Sequence, residues 1–287
     1  MPYLPYISDT DFIKHLNTIA DKGIEAKQNA PKRFYSNVID PFGPIFEMGI
    51  LGVNAGQWEK LEINRQIQKS MQNAVGKFHE NILGSVPGWS KVEVGGIIDL
   101  VKDDKTIIAE IKNKHNTVSG GKLKDHYQEL SDQINKKNMA YFGATSYFVQ
   151  IIPKNSASFN KCFTPSDKST GKKCPKDNKI REIDGRSFYA MVTGFDNALD
   201  MLHDQIPIAL AQSGAIKNAF PSNDLKELSD YFKRAYFWFK SCFMPNPYDT
   251  YHMCHMKAQN MIDMTSMIAT APIAAKKSPL NRLSESK

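Results

Sequence analysis

The stretch that most constrains the fold of this chain is residues 94–117, which includes GGIIDLVKDDKTIIAEIKNKHNT. Its two halves, residues 94–102 and 106–113, are rich in β-branched side chains, and Asp-Asp-Lys at 103–105 separates them. Such runs on either side of turn-forming residues are typical of paired strands. The sequence therefore predicts an antiparallel hairpin.

The hairpin is expected to gather charged side chains on one face. With the first two residues of Asp-Asp-Lys in the turn, Asp99 falls opposite Ile108, and Glu110 lies diagonally beside Asp99 on the same face. The period of two in a strand places Lys112 on that face as well. The other face is expected to pack through Ile107, Ala109 and Ile111.

This trio of side chains suits phosphodiester chemistry. Two carboxylates supply the hard oxygen ligands that Mg²⁺ prefers beside substrate phosphates. The metal polarises the phosphodiester and acidifies a bound water, while Lys112 orients the nucleophile and stabilises developing charge. The same residue types also occur on the exposed face of any two-stranded ribbon, so the short motif by itself does not establish a nuclease.

A family resemblance adds to this interpretation. The stretch NRQIQKSMQNAVGKFHENILGSVPGW at 64–89, followed by GGIIDLV and IIAEIKNKHNT, resembles the PD-(D/E)xK nucleases, and more closely a type II restriction endonuclease family that cuts GGNCC sites. The resemblance covers the first half of the chain well and the second half loosely. Ile98 stands where the superfamily has its proline, and the acidic residue follows in place at Asp99.

The resemblance implies an activity and a fold. It implies Mg²⁺-dependent, site-specific hydrolysis of double-stranded DNA at a short palindrome, leaving 5′-phosphates. The implied fold is α/β, with a restriction-endonuclease-like central mixed β-sheet flanked by helices and a largely helical C-terminal part. Asp99, Glu110 and the Ile111 carbonyl would bind the metal, and Lys112 would act on the water. Glu80 would add a carboxylate to the metal site, although on sequence grounds it reads equally as a solvated helix residue.

The implied partners follow from the substrate. Double-stranded DNA with a palindromic site requires two active sites related by a two-fold axis, so a homodimer is expected. By analogy with the family, a cognate DNA methyltransferase protects the host site. The residues first expected to contact DNA are Asn113, Lys114, His115, Asn116, Lys122, Lys172 and Lys173.

The length of 287 residues suits one nuclease domain over 1–275 and a flexible tail over 276–287. Within the domain we expect a catalytic core at about 56–152, a basic arm at 153–181 and a helical part at 185–275.

Several elements frame the hairpin. We expect a helix over 8–22 capped by its first residue, extended, irregular chain with short helical turns over 29–54, a long helix over 56–83, a helix over 122–137 and a strand over 145–152. Further helices are expected at 185–194, 195–212 and 222–243. In the long helix the apolar stripe predicted to face the core consists of Trp58, Leu61, Ile67, Met71, Val75, Phe78 and Ile82.

The formal charge of +7 favours a polyanionic partner. Residues 153–181 hold seven Lys, one Arg and two Asp, an excess of +6 that suits either a solvated loop or an arm that neutralises DNA phosphates. Cys162 and Cys174, with the downstream group His252, Cys254 and His255, also raise the question of a zinc site. They lack the CxxC pairs that make such a prediction strong.

Other features narrow the class of protein. There is no signal peptide and no apolar run long enough for a membrane span, so a cytoplasmic location is expected. Four cysteines do not make a disulfide framework in a chain of this size. Two further functions stay open on sequence grounds. One is a structure-directed repair or junction nuclease with the same three residues, and the other is a non-catalytic DNA-binding protein.

Overall fold

The structure is a computed structural model that describes residues 2–36, 38–92, 96–155 and 157–213. All of them belong to one compact unit, Met1–Phe237. The helices are α1 (Asp9–Arg33), α2 (Gly43–Leu51), α3 (Ala55–Gly84), α4 (Leu123–Asn135), α5 (Gly185–Thr193) and α6 (Ala198–Ser213). The strands are β1 (Trp89–Lys91), β2 (Leu100–Lys102), β3 (Ile107–Lys114), β4 (Thr145–Ile152), β5 (Asn160–Cys162) and β6 (Ile180–Asp184).

The strands form one mixed sheet in the order β1-β2-β3-β4-β6-β5. Strands β3, β4 and β6 run parallel to one another, and β1, β2 and β5 pair antiparallel with their neighbours. Helix α4 makes the crossover from β3 to β4, the connection that parallel strands need. Together with the flanking helices, this sheet confirms the predicted fold class.

The two faces of the sheet pack against different helices. On one face, Ile107, Ala109 and Ile111 of β3 join a core built with α1, α3, α5 and α6. On the other face, Ile108 joins a second core with α4. Because side chains alternate along a strand, Glu110 is expected on the α4 side, as is Lys112. The predicted division of β3 into a packed and a charged face is confirmed.

Helix α1 begins where the sequence predicted and ends later. The Ser8 hydroxyl accepts a hydrogen bond from the Asp11 amide at 3.1 Å, which caps the helix. The predicted end near residue 22 is wrong, because the helix continues to Arg33 with Ala26 and Ala30 buried. Pro31 lies only two residues from the end of the helix, where its missing N–H removes a bond to the Lys27 carbonyl and so favours the end of the helix soon after it.

The prediction of extended, irregular chain with short helical turns over 29–54 underestimates the helix there, because residues 29–33 belong to α1 and residues 43–51 form α2. Pro44 lies in the first turn of this helix, where proline is well tolerated. Gly52 ends it in the left-handed conformation, with φ of 65°. The residues that suggested a loop are thus the start and stop signals of a short helix.

Helix α3 matches its prediction in extent and differs in burial. The Asn54 side chain accepts from the Gln57 amide at 3.0 Å, and the Gln57 side chain accepts from the Asn54 amide at 2.9 Å. This capping box fixes the first turn. Of the predicted core stripe only Phe78 and Ile82 are fully buried, while Leu61 and Met71 are exposed, so the prediction is wrong for those last two residues. Helix α3 packs on α1 and α2, and Gly84 at its end lies against β1.

Gly84 allows the end of α3 to approach the sheet closely. A Cβ at this position would lie 2.8 Å from Lys91 Cβ and 2.9 Å from the Lys91 amide nitrogen, both of which are steric clashes. This approach positions the last turns of α3, including Glu80, beside β1.

The remaining elements follow the sequence closely, with two differences. The predicted helices at 122–137, 185–194 and 195–212 and the strand at 145–152 are confirmed to within a few residues. The first strand of the hairpin is shorter than predicted, since β2 begins only at Leu100. The basic segment 153–181 is not loop throughout, because it contains β5 and the first residues of β6.

The described part of the chain ends within the predicted helical region. Its portion from 185 to 213 consists mainly of α5 and α6. The helix predicted at 222–243 and the tail at 276–287 lie outside the described residues. Among the helices that are described, none is long and apolar enough to cross a membrane.

Candidate active site

The turn between β2 and β3 sets the position of Asp99. The prediction that Asp99 lies opposite Ile108 is wrong, because Val101 pairs with Ile108 and Leu100 with Ala109. Extending the pairing by one residue places Asp99 beside Glu110. The connection uses four residues instead of two, with Lys105 at φ of 59°. The resulting shift is two residues along β3, so Asp99 keeps the predicted face.

Backbone contacts hold the half-buried Asp99 in place. Its amide donates to the Ala109 carbonyl at 2.9 Å, and the Ile111 amide donates to its Oδ2 atom at 2.7 Å. The carboxylate is therefore fixed against the middle of β3. The Ile111 side chain is buried in the core on the opposite face of the sheet.

Glu110 and Lys112 complete a cluster with Asp99, which we call the catalytic cluster. Glu110 is buried, with 4% of its surface exposed, and its Oε1 atom contacts the Lys112 ammonium. The Lys112 side chain is 22% exposed and so reaches toward the surface. The structure thus brings together the two carboxylates and the ammonium that the sequence predicted on one face.

Burial gives the two carboxyl groups unusual protonation behaviour. Desolvation, followed by the charge of Asp99, raises the pKa of Glu110 to about 8, against the opposing effect of Lys112. Desolvation also raises the pKa of Asp99, and a hydrogen bond from the Ile111 amide opposes that rise. The interaction between the two side chains adds to the rise at Glu110 and favours the ionised form of Asp99, so Glu110 is the carboxyl group that keeps its proton near neutral pH.

Glu80 lies at the edge of this cluster. It is close enough for its charge to raise the pKa of Asp99. Its Oε2 atom is 3.1 Å from the Lys91 ammonium, which also donates to the Asn81 side chain at 2.7 Å. In this structure Glu80 is paired with Lys91 across the junction of α3 and β1.

His126 of α4 is a site residue that sequence reasoning missed. Its Nδ1 atom is 3.7 Å from Glu110 Oε1 and is buried without a hydrogen-bond partner in the described part of the chain. The ring packs against Phe148. Burial, followed by the charge of Lys112, lowers the pKa of His126. The sequence signal was its position four residues before the buried Leu130, in line with the apolar stripe of α4.

The residues of the cluster fit a divalent cation. Asp99 and Glu110 offer hard oxygen donors side by side, and the raised pKa of both carboxyl groups indicates a place where additional positive charge would be favoured. Among the described residues, no three or more His, Cys, Asp or Glu side chains converge as a ready-made metal centre. The site is therefore a two-carboxylate site, of the kind Mg²⁺ uses when substrate and water supply its other ligands.

Four of the residues predicted to bind DNA form an exposed strip after β3. Lys114, His115, Asn116 and Lys122 are all exposed. The His115 amide donates to the Ile152 carbonyl at 3.0 Å, and the Thr117 amide donates to the Lys114 carbonyl at 3.0 Å. These bonds fix the loop that leads from the end of β3 to α4.

Asn113 differs from the other predicted DNA contacts. Strand alternation places it on the Ile111 side of β3, away from Lys112. Its residue is half-buried, and its Oδ1 atom is buried without a hydrogen-bond partner among the described residues.

Lys172 and Lys173 are exposed in residues 166–173, which we call the basic loop. Asp167 anchors this loop, because its Oδ2 atom accepts from the Lys124 ammonium of α4 at 2.7 Å. That bond lowers the pKa of Asp167. A Cβ on Gly120 would lie 3.4 Å from Lys168 Cε, so the loop touches the segment just before α4. Its lysines therefore extend the exposed strip that follows β3.

The cysteines within the described residues give no sign of zinc. Cys162 and Cys174 are free thiols, and neither belongs to a cluster of metal-binding side chains there. Cys254 and the neighbouring His252 and His255 lie outside the described residues.

Comparison with known proteins gives the family. The profile of the Eco47II restriction endonuclease family matches residues 4–213. The type II restriction enzyme Eco47II of Escherichia coli is 45% identical over 210 residues, which is 73% of this chain and 87% of the relative. The type II restriction enzyme Sau96I of Staphylococcus aureus is 34% identical over 240 residues, 81% of this chain and 89% of the relative. The chain therefore belongs to the Eco47II restriction endonuclease family and is a site-specific deoxyribonuclease that acts on DNA.

Proposed function

We propose that this type II restriction endonuclease uses Mg²⁺ at the catalytic cluster to hydrolyse both strands of DNA. The observation that carries the proposal is the convergence of Asp99, Glu110 and Lys112 on one face of β3. Membership of the restriction endonuclease family implies a divalent metal in general terms. The choice of Mg²⁺ is supported by the oxygen-only donor pair.

Each residue of the cluster has a distinct role in this proposal. Asp99, Glu110 and the Ile111 carbonyl hold the cation, and Glu80 supports it from the outer shell. When bound, Mg²⁺ supplies polarisation of the phosphodiester and acidifies a water. Lys112 orients the attacking water and stabilises charge on the phosphate through its ammonium. Attack by water with departure of the 3′-oxygen leaves a 5′-phosphate and a 3′-hydroxyl.

His126 is proposed to position Glu110. Its buried Nδ1 atom faces the Glu110 carboxylate, and Phe148 holds its ring. A neutral imidazole in this place limits the directions that the Glu110 side chain can take without adding a charge. Glu110 is then presented to the cation in one orientation.

The DNA is proposed to lie along the exposed strip and the basic loop. Lys114, His115, Asn116 and Lys122 would contact the backbone beside the cut phosphate. Lys172 and Lys173 would extend this contact along the duplex by neutralising phosphates. Asn113 is retained as a candidate whose orphaned Oδ1 atom would require a rearrangement to reach DNA.

The substrate is proposed to be a short palindrome of the GGNCC type. A symmetric site is cut on both strands most simply by two copies of the catalytic cluster, so the working form is a homodimer. A cognate DNA methyltransferase would protect the host site, and the enzyme would act in the cytoplasm where that DNA lies.

Sequencing the ends of fragments from an unmethylated plasmid digested with Mg²⁺ tests this proposal. Discrete fragments sharing one palindrome, with 5′-phosphates, are the expected result. Cutting only at branches or ends would support a structure-directed nuclease instead. Binding without any cutting would support a non-catalytic DNA-binding protein. The family match argues against both alternatives.

A further inference from the structure

An ordinary surface helix turns its apolar side toward the protein and its polar side toward water. Helix α2 has the opposite orientation. None of its residues is buried. Its single charged residue, Glu47, turns toward α3, where Oε1 accepts from Arg65 at 2.6 Å and Oε2 accepts from Arg65 at 3.0 Å. The Trp58 indole also donates to Glu47 at 2.9 Å. The polar side of α2 is therefore bound to the protein.

The apolar side of α2 faces outward. We call this the apolar face, and it consists of Phe42, Ile45, Phe46, Ile50 and Leu51. Phe46 is 69% exposed and Ile50 is 83% exposed. Gly49 lies between them on the helix, and a Cβ there would meet nothing within 4 Å. The face is apolar, carries no charge and is notched at its centre.

The size of the apolar face matches part of a protein interface. At about 200 Å² for a whole Phe, Leu or Ile residue, the exposed fractions leave roughly 700 Å² open to water. The largest apolar patch of a typical monomer is roughly 300–600 Å², and a stable interface covers about 800 Å² on each partner. A surface of this size is unfavourable in water unless something covers it.

We propose that α2 packs against α2 of a second copy of this chain, forming the core of the homodimer interface. The inference rests on the proposed function in that cleavage of both strands needs two catalytic clusters. Two-fold symmetry requires a surface that is complementary to itself. An uncharged face meets its own copy without repulsion, and Gly49 lets the two helices approach closely. DNA is a poor occupant, since the face offers no cation.

Chemical crosslinking tests the contact in the full-length chain. Gly49→Cys is expected to form a disulfide-linked dimer under mild oxidation, seen on a non-reducing gel. Gly76→Cys on α3 is the matched control, since a Cβ there also meets nothing within 4 Å, and it should remain a single chain. The unaltered chain, which carries four cysteines, sets the background. Equal dimer yields from Gly49→Cys and Gly76→Cys would overturn the proposal.

Light scattering after size exclusion gives the second test. The unaltered chain is expected at twice its chain mass of 32.4 kDa. Phe46→Asp should raise the dimer dissociation constant by roughly 30-fold or more, as an interface hot spot does, and shift the mass toward one chain. Phe142→Asp, at a 52% exposed phenylalanine outside α2, should leave the mass unchanged. Circular dichroism checks that both variants fold.

The outcomes separate this inference from the proposed function. A chain that is monomeric at every concentration, or a Phe46→Asp variant that stays dimeric, would overturn the α2 interface. If residues 214–287 of the same chain cover the apolar face, Phe46→Asp would lower the melting temperature and leave the mass unchanged, which also overturns it. Plasmid cleavage is measured on the same unaltered preparation, so a failed interface and a failed nuclease give different results.

Discussion

The ribbon that carries the catalytic cluster and the helix α2 depart from ordinary side-chain burial in opposite directions. In the ribbon, the carboxyl groups of Asp99 and Glu110 lie within the protein, and burial raises the pKa of both. In α2, Phe46 and Ile50 lie in water while Glu47 is turned inward. Both arrangements are costly in an isolated chain.

Each of these two arrangements indicates a binding partner of complementary chemistry. Buried carboxylates call for positive charge, which a cation and the approach of Lys112 supply. Exposed apolar side chains are stabilised by an apolar surface, which a second copy would supply in the proposed dimer. According to these proposals, the enzyme thus carries a cation-binding site at the catalytic cluster and a self-association surface on α2.

The largest expected effect is the loss of DNA cleavage when Lys112 or Asp99 is substituted. Lys112→Ala and Asp99→Asn are each expected to lower the plasmid cleavage rate by roughly 10³-fold or more, because each removes a group that acts in the transition state. DNA binding, measured by gel shift without Mg²⁺, should change only a few-fold. Lys102→Ala, which removes an exposed ion pair with Asp104 on the same hairpin, is the control and should cut normally. Unchanged cleavage by Lys112→Ala would remove the catalytic assignment.

The next effect concerns stability without metal. The pKa of Glu110 is about 8 in the folded chain, above its ordinary value of 4.5, so the stability it contributes is fully present below pH 4.5 and is lost as pH rises toward 8. This loss is on the order of a few kcal/mol. Urea unfolding in EDTA should show it, and Glu110→Gln should flatten that pH dependence.

The matched control for this stability effect is a substitution in α2. Phe46→Asp should leave the pH dependence of unfolding between pH 5 and pH 8 close to that of the unaltered chain, since α2 holds no group with a raised pKa. A Glu110→Gln variant with the full pH dependence would mean that the buried carboxyl pair is not its source.

A smaller effect is expected at His126. His126→Ala should lower the cleavage rate by roughly 10- to 100-fold, as loss of a residue that orients a metal ligand does, with part of the loss recovered at higher Mg²⁺. Glu129→Ala is the control, because Glu129 lies 3.9 Å from His126 on the exposed side of α4. Steady-state cleavage over a range of Mg²⁺ concentrations measures both. Full activity of His126→Ala at low Mg²⁺ would contradict the positioning role.

The smallest effect is expected in the basic loop. Lys172→Ala combined with Lys173→Ala should weaken DNA binding a few-fold and reduce the slope of log affinity against log salt by about 2, since each lysine releases about one counterion. Lys32→Ala on α1 should leave the slope unchanged. Fluorescence anisotropy across a salt series makes the measurement. An unaltered slope in the double variant would place the DNA elsewhere.

Sequence patterns predicted the central elements because these carry strong local signals. Strand β4, helix α4 and helix α3 appear within a few residues of their predicted bounds. The face shared by Asp99, Glu110 and Lys112 was also predicted. The predicted face is correct although the predicted strand pairing is wrong. The four-residue connection shifts the partner of Asp99 by two positions along β3, and a shift of two residues leaves a side chain on the same face of the sheet.

The rest depended on contacts that no local pattern reports. The full length of helix α2 was not predicted, because its prolines and glycines suggested irregular chain with only short helical turns, whereas Pro44 and Gly52 start and end a helix. His126 reads as part of an apolar stripe, and only the packing of α4 across β3 brings it to Glu110. Leu61 and Met71 are exposed although they share the apolar stripe with the buried Phe78 and Ile82, and periodicity along the helix does not distinguish them.

Proton release on Mg²⁺ binding is the decisive measurement for the proposal that Asp99 and Glu110 hold the cation. Isothermal titration calorimetry in buffers of different ionisation enthalpy counts the protons exchanged per Mg²⁺ bound. Because a cation would displace the proton from Glu110, whose pKa is about 8, about one proton should be released at pH 7, and fewer as the pH rises past that value. Mg²⁺ affinity should rise with pH over the same range. Mg²⁺ binding without proton release at pH 7, or an Asp99→Asn variant that binds Mg²⁺ as tightly as the unaltered chain, would contradict this metal site.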